Sequence, residues 1–118
     1  MKESVSDMMR PGGPTVRNSS SLAEVALAML SQHVREVPVV DKDDNLVGVV
    51  FAEDLFTTDK DTIESIVKPA RLVIPADASP MEAVRIMQKV GCEHAVVVDG
   101  YRVVGTFVWQ DTLERLAD

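Results

Sequence analysis

The chain has 118 residues, a length that fits one domain with enough core to fold without a disulfide or metal. Its hydrophobic fraction of 46% and charged fraction of 26% are those of ordinary folded proteins, which excludes disorder and a membrane-spanning class. The net charge is −7 and the Lys and Arg residues are scattered, so the chain has no basic surface for nucleic acid. We expect neither nucleic acid nor a membrane as a partner.

Secretion and metal binding are not indicated either. The longest apolar run, residues 46–52, is far shorter than the roughly 20 residues that span a bilayer, and the first ten residues lack the apolar stretch of a signal peptide. The single cysteine, Cys92, has no disulfide partner and no zinc-ligand spacing around it. We expect a cytoplasmic protein that requires no metal and no cofactor.

The first half of the chain begins with a helical turn around residues 5–9 and a brief strand at residues 15–16. Ser21 and Glu24 then form a capping box, which predicts the start of a helix whose apolar residues recur at helical spacing. The β-branched run 37–40, the turn DKDDN and a second apolar run predict a hairpin. A closing helix is expected to begin near Ala52.

The second half repeats the first. A shift of 58 positions places Pro11 on Pro69, and after one residue is lost in the hairpin turn a shift of 57 places Asp54 on Asp111. The same capping, strand and turn signals recur in both copies. The repeat therefore predicts two copies of one structural unit.

Each copy predicts the element order β-α-β-β-α. The hairpin strands are apolar without alternation, as in sheets covered on both faces, and neither copy covers its sheet alone. We expect an α/β (α+β) fold with pseudo-two-fold symmetry, formed as a single module over residues 1–118. Its first motif spans 1–60 and its second spans 61–118.

The residues that open and close each copy resemble those of a tandem cystathionine β-synthase (CBS) domain pair, also called a Bateman module. They are VSDMMRP, EVPVVD and GVVFAEDL in the first copy, and IESIVKP, HAVVVD and GTFVWQDT in the second. The resemblance implies a regulatory module that binds an adenosine-containing ligand (AMP, ADP, ATP or S-adenosylmethionine) in a cleft between the two motifs. It also implies a flat homodimer that transmits ligand occupancy to an effector domain or partner protein.

In the family each closing strand ends in Gly-x-x-(Ser/Thr)-x-x-Asp, whose hydroxyl contacts phosphate or ribose and whose Asp holds the ribose hydroxyls. The resemblance gives the Asp role to Asp54 and Asp111. An Asp in the first helical turn also stabilises the helix dipole without a ligand, so a structural role stays open. Phe51 and Val108 replace the hydroxyl residues, and because Val108 leaves more room, the Asp111 cleft is favoured.

By family analogy each cleft combines the closing motif of one copy with strands of the other. The first cleft is expected to hold Asp111, Val108, Thr15, Val16, Val37 and Pro38. The second is expected to hold Asp54, Phe51, Val73, Ile74, His94 and Ala95. The expected phosphate contacts are Arg17, Arg35 and His94, since an acidic chain needs local donors to bind an anion, although each is also an ordinary surface residue.

Catalysis is not indicated. The chain has no phosphate-cradling glycine loop, no HExxH and no nucleophile elbow, and Cys92 and His94 are too close on one strand to align as nucleophile and base. The alternative to sensing is a CBS pair that kept the fold as a ligand-free dimerisation module. The expected homodimer contacts are apolar residues of the two closing helices: Leu55, Phe56, Leu113 and Leu116.

Overall fold

The computed structural model describes residues 3–117. These residues form two compact units. The central unit comprises Pro14–Ala70, and the flanking unit comprises the described residues up to Gly13 together with those from Arg71 onward. The leading residues of the chain therefore complete the unit that contains the second hairpin. The residues that open the second repeat complete the unit that contains the first hairpin.

The elements follow in chain order. The α-helices among the described residues are α1 (Val5–Met8), α2 (Leu22–Gln32), α3 (Pro80–Val90) and α4 (Trp109–Ala117). The strands are β1 (Arg10–Pro11), β2 (Glu36–Val40), β3 (Leu46–Phe51), β4 (Val73–Pro75), β5 (His94–Asp99) and β6 (Arg102–Val108). Short 3₁₀ helices cover Ala52–Phe56 and Glu64–Ile66. Within residues 3–117 no helix is both long and apolar enough to cross a bilayer.

The central unit is built on the antiparallel hairpin of β2 and β3. Single bridges extend this sheet on both sides: Val16 lies parallel to Val39, and Lys68 lies antiparallel to Val49. The core beneath it contains Val25 and Met29 of α2 and buried valines of both strands. The sheet is apolar on both faces, as the lack of alternation in the sequence predicts.

The flanking unit contains a four-stranded sheet in the order β1-β6-β5-β4. The β5–β6 hairpin is antiparallel, β4 runs parallel to β5, and β1 runs antiparallel to β6. Val5 of α1, Met87 of α3 and Phe107 of β6 are fully buried in its core. The central unit has the same strand order, with the bridge at Lys68 in the place of β1 and the bridge at Val16 in the place of β4. The mixed α/β fold expected from the sequence is confirmed.

The predicted helix signals are present. The Ser21 hydroxyl accepts a hydrogen bond from the Glu24 backbone N–H, and the Glu24 carboxylate accepts one from the Ser21 backbone N–H. At α3 the Ser79 hydroxyl accepts a hydrogen bond from the Glu82 backbone N–H without the reciprocal bond of a full capping box, and Gly91 ends α3 in the left-handed conformation at φ 81°. These local interactions explain why both long helices begin, and why α3 ends, where the sequence indicates.

The closing elements of the two copies differ from the expectation of two similar helices. α4 is a regular helix, whereas its counterpart, Ala52–Phe56, is a short 3₁₀ helix. The Thr57 backbone N–H and the Thr57 hydroxyl both donate to the Asp54 carbonyl, at 3.1 and 2.8 Å. Both donors belong to the residue three positions after Asp54, a spacing that favours a 3₁₀ turn over a continued α-helix. The helix therefore ends at this turn. The motif boundaries 1–60 and 61–118 stay a prediction about the repeat.

In each unit the backbone of a leading segment passes very close to one glycine of the closing strand. A Cβ atom added at Gly105 on β6 would lie 2.6 Å from the Arg10 carbonyl oxygen, and one added at Gly48 on β3 would lie 2.5 Å from that of Lys68. Side-chain carbon atoms do not approach backbone oxygens so closely, so these strand positions require glycine. The repeated Gly48 and Gly105 therefore allow a leading segment to pair with the closing strand of its unit.

Replacement of Gly48 by alanine is expected to lower the free energy of unfolding by about 1–3 kcal/mol, because the added methyl pushes the Lys68 backbone away from β3. Urea denaturation followed by circular dichroism measures the change. Val47→Ala, at the exposed neighbouring position, is the control and is expected to cost less than about 1 kcal/mol. Equal losses in the two variants would show that close backbone approach does not limit side-chain size at Gly48.

Candidate functional site

Asp111 lies in the first turn of α4, directly after β6, with 23% of its side chain exposed. Its Oδ2 atom accepts a hydrogen bond from Arg10 Nε at 2.9 Å, and its Oδ1 atom accepts one from Arg10 Nη2 at 3.0 Å. These bonds raise the pKa of Arg10 above its ordinary value, although partial desolvation opposes them. Both oxygens of the candidate ribose-binding carboxylate are thus engaged by one guanidinium.

Asp54 has the equivalent position in the central unit, in the first turn of the 3₁₀ helix after β3. Its side chain is 13% exposed, and its Oδ2 atom lies 2.8 Å from Lys68 Nζ. The ammonium is thus the cationic partner of one Asp54 oxygen. The ammonium also lies 6.0 Å from the centroid of the Phe51 ring. Phe51, which replaces the family's hydroxyl residue, therefore supports the cation beside Asp54.

The two ion pairs occupy equivalent positions of the repeat. Arg10 and Lys68 are 58 residues apart, and each directly precedes an aligned proline, Pro11 or Pro69. Arg10 pairs through its backbone with Thr106 on β6, and Lys68 pairs with Val49 on β3. Sequence reasoning missed both cations. The repeated Arg-Pro and Lys-Pro dipeptides were the signal available, but nothing in the sequence shows that they meet Asp111 and Asp54.

The other predicted site residues differ in exposure. The apolar residues expected to sandwich a base are mostly buried in their own units: Val16, Val37, Pro38, Ile74, Ala95 and Val108. Thr15 and Val73 are exposed. Val108 pairs through its backbone with His94, which is half-buried. The assignment of these residues to ligand contacts stays a prediction.

The three expected phosphate contacts do not share one compact unit. Arg17 and Arg35 are exposed residues of the central unit, and His94 belongs to the flanking unit. The positive charge of Arg17 helps to lower the pKa of Asp41, which is lowered chiefly by the backbone N–H groups of Asp43 and Asn45. Arg17 therefore acts on the acidic turn of the first hairpin.

Thr112 is a polar residue of the flanking unit that the sequence analysis did not single out. It follows Asp111 in the first turn of α4, is buried, and its Oγ1 atom has no hydrogen-bond partner among the described residues. An unpartnered buried hydroxyl is unfavourable, so Thr112 is a candidate for contact with a bound group. Residues 3–117 contain no cluster of three or more His, Cys, Asp or Glu side chains that could hold a metal ion.

Comparison with known families identifies the repeated unit. The CBS domain family matches residues 5–61 and again residues 63–118. The chain belongs to the CBS domain family. The resemblance seen in the opening and closing residues of each copy is confirmed, and the two matches make the chain a tandem CBS pair.

Solved CBS proteins share the fold. CBSX2 from Arabidopsis thaliana, solved in complex with AMP, superposes with a TM-score of 0.84 over 97% of this chain and 96% of its own, at 22% identity. The CBS domain pair of protein MJ0100, solved with 5′-methylthioadenosine and S-adenosyl-L-methionine, superposes with a TM-score of 0.82 over 99% of this chain and 98% of its own, at 25% identity.

A curated relative is the L-aspartate semialdehyde sulfurtransferase of Methanocaldococcus jannaschii, which is 31% identical over 117 residues. The match covers 95% of this chain and 23% of the sulfurtransferase. The CBS pair thus spans less than a quarter of the length of the curated relatives it matches.

The ion pairs are expected to contribute little to folding. Arg10→Gln and Lys68→Gln should each change the free energy of unfolding by less than about 1 kcal/mol, because more than half of each cation's side chain is exposed to water. Urea denaturation measures both. Arg115→Gln, which removes a comparably exposed cation from Glu3, is the matched control. A loss several times that of the control would assign the pairs a structural role.

Proposed function

We propose that this CBS pair is a regulatory module that binds an adenosine-containing ligand: AMP, ADP, ATP or S-adenosylmethionine. The observation that carries the proposal is the recurrence of a partly buried carboxylate, Asp54 or Asp111, in the first turn after each closing strand. Similar CBS pairs were solved with AMP and with S-adenosyl-L-methionine. The ligand is regulatory, and no further cofactor is required.

The chemistry of these positions suits a nucleoside. A carboxylate accepts two hydrogen bonds from the adjacent hydroxyls of a ribose, and its negative charge strengthens both bonds. Lys68 contacts Asp54 through Oδ2 alone among the described residues, so Oδ1 can accept a hydrogen bond from a ligand hydroxyl. The nearby hydroxyl of Thr112 offers a similar opportunity beside Asp111.

A ligand-free dimerisation module is the alternative. Phe51 and Val108 replace the hydroxyl residues of the family motif, and each candidate carboxylate already has a cationic partner within its own unit. These features favour a pair that has kept the fold without the ligand. The buried Thr112 hydroxyl, which has no hydrogen-bond partner among the described residues, favours the sensing module, because a bound group would supply one.

Thermal denaturation against AMP, ADP, ATP, S-adenosylmethionine and guanosine nucleotides tests the proposal. A ligand present at about 100 times its dissociation constant should stabilise the fold by about 2.7 kcal/mol. Asp111→Asn should reduce this stabilisation, because the amide replaces one hydroxyl acceptor by a donor. Glu82→Gln, which removes an exposed charge from α3 of the same unit, should leave it unchanged. A flat response across the panel would favour the dimerisation module.

We also propose that the chain itself is not catalytic. The named activity of the M. jannaschii relative belongs to a protein of which the CBS pair is less than a quarter. Support comes from the absence of known nucleophile, metal and P-loop motifs in the sequence. The module would then act on an effector domain or partner protein, and a cytoplasmic location stays a prediction.

A homodimer is part of the proposal. Leu113 and Leu116 on α4 and Phe56 in the central unit expose large apolar side chains, as the expected interface requires. Leu55 differs, because it is half-buried and packs against the core of the central unit. The interface is therefore proposed to involve the other three residues.

Light scattering coupled to size-exclusion chromatography is expected to give the mass of a dimer at micromolar concentration. Leu116→Glu should convert it to a monomer, because the substitution would bury a charge in the apolar contact. Leu27→Glu on α2 is the control, since the two leucines are similarly exposed, at 67% for Leu27 and 73% for Leu116. A monomeric wild-type protein would contradict the proposed dimer.

A further inference from the structure

We infer that Arg10 and Lys68 are internal competitors of the ligand: in the unliganded chain each cation occupies the carboxylate to which a ribose would bind. The ligand diol would then bind by displacing the cation, so that these two residues set the affinity of the two carboxylates. The inference rests on the proposed function, because it concerns the same carboxylates. It gives a regulatory role to Arg10 and Lys68, which lie outside the Gly-x-x-(Ser/Thr)-x-x-Asp motif.

The competition follows from the geometry at Asp111. The Arg10 guanidinium donates through Nε to one carboxylate oxygen and through Nη2 to the other, at 2.9 and 3.0 Å. A ribose diol presents two adjacent O–H donors and would approach the same pair of oxygens side by side. A guanidinium and a diol cannot both donate two hydrogen bonds to the same edge of one carboxylate. Binding of the diol at this edge therefore requires release of the guanidinium.

The backbone of each unit positions the cation beside its carboxylate. Arg10 crosses β6 beside Gly105, and Lys68 crosses β3 beside Gly48, in both cases so closely that a Cβ on the glycine would collide with the carbonyl of the cationic residue. The same juxtaposition arises in two units with different cations, an arginine and a lysine. Its recurrence at equivalent positions indicates a feature of the fold and not a chance contact of one long side chain.

The two competitors are unequal. Arg10 engages both oxygens of Asp111, whereas Lys68 contacts one oxygen of Asp54. A bidentate guanidinium pair is stronger and more directional than a single ammonium contact. Arg10 is therefore the stronger competitor, and its removal should affect ligand binding more than removal of Lys68.

Displacement would also carry a signal away from the ligand. Arg10 belongs to β1, which follows α1 after a single residue, and Val5 of α1 is fully buried in the core of the flanking unit. Release of the guanidinium removes one of the restraints that hold this leading segment to the start of α4. Ligand occupancy at Asp111 is thereby coupled to the segment that carries Arg10.

Isothermal titration with adenosine tests the competition, because this nucleoside has the diol but no phosphate. Arg10→Gln should bind adenosine about threefold to tenfold more tightly than the wild type, since the two charge-assisted hydrogen bonds no longer have to be broken. Lys68→Gln should give a smaller gain. Arg115→Gln removes a comparably exposed arginine from the same unit, 52% against 57% exposed, and should leave the affinity unchanged.

The ligand 2′,3′-dideoxyadenosine provides a second control. It lacks both ribose hydroxyls, so its weaker affinity should be the same for the wild type and Arg10→Gln. Unchanged or weaker adenosine binding in Arg10→Gln would overturn the inference. A variant that weakens AMP binding while leaving adenosine binding unchanged would show instead that Arg10 binds the phosphate, and this result also overturns it.

The outcomes separate this inference from the proposed function. If the wild type binds adenosine and Arg10→Gln binds it equally well, the competition fails and the proposed function stands. If only Arg10→Gln binds detectably, both are supported. If neither the wild type nor the folded variants bind any adenosine compound, the proposed function fails and the inference fails with it.

Nuclear magnetic resonance provides a readout on the wild-type protein itself. The Arg10 Nε–H signal of the wild type, assigned with the help of the conservative variant Arg10→Lys, reports whether the guanidinium is hydrogen-bonded. Saturating adenosine should move this signal towards the position and faster water exchange of a solvent-exposed arginine. A signal that keeps its position and exchange rate in the adenosine-bound protein would overturn displacement.

Discussion

The backbone crossing at Gly48 and Gly105 is the constraint on which the rest of each unit depends. At these positions a leading segment runs against the closing strand too closely for any side chain, and its backbone hydrogen bonds complete the sheet. In the central unit the Val49 N–H donates to the Lys68 carbonyl at 2.7 Å, and the Lys68 N–H donates back at 2.9 Å. Each unit therefore depends on a segment that is distant in sequence from its hairpin.

This crossing also decides the electrostatics of the candidate site. The residue at the crossing carries a cation in both units, and the strand that it crosses, β3 or β6, leads directly into the turn that carries Asp54 or Asp111. Each carboxylate would otherwise stand as an isolated negative charge, partly withdrawn from water. The cation satisfies it, through both oxygens in the flanking unit and through one oxygen in the central unit. The same geometry thus neutralises the carboxylate in the unliganded protein and defines what a ligand must replace.

Local signals explain how much of the fold was predictable. Capping at Ser21 and Ser79 and the left-handed Gly91 depend on neighbours within four residues, and the structure bears them out. Helical spacing was less informative in α2, where Leu30 fits the apolar pattern but is exposed. An apolar residue at a suitable spacing is compatible with a core or with a surface. Only the neighbouring elements decide between them.

The sequence by itself determined the repeat, the capped helices, the two hairpins and the two equivalent carboxylates, because these follow from local patterns that appear twice. Only the tertiary structure decided that Arg10 meets Asp111 across 101 positions, and that Lys68 lies between Asp54 and the Phe51 ring. The physical reason is that both contacts depend on strand register and on the close approach at a glycine. Neither the strand register nor the close backbone approach can be read from the neighbouring residues in the sequence. The sequence alone therefore does not distinguish a paired cation from a solvated one.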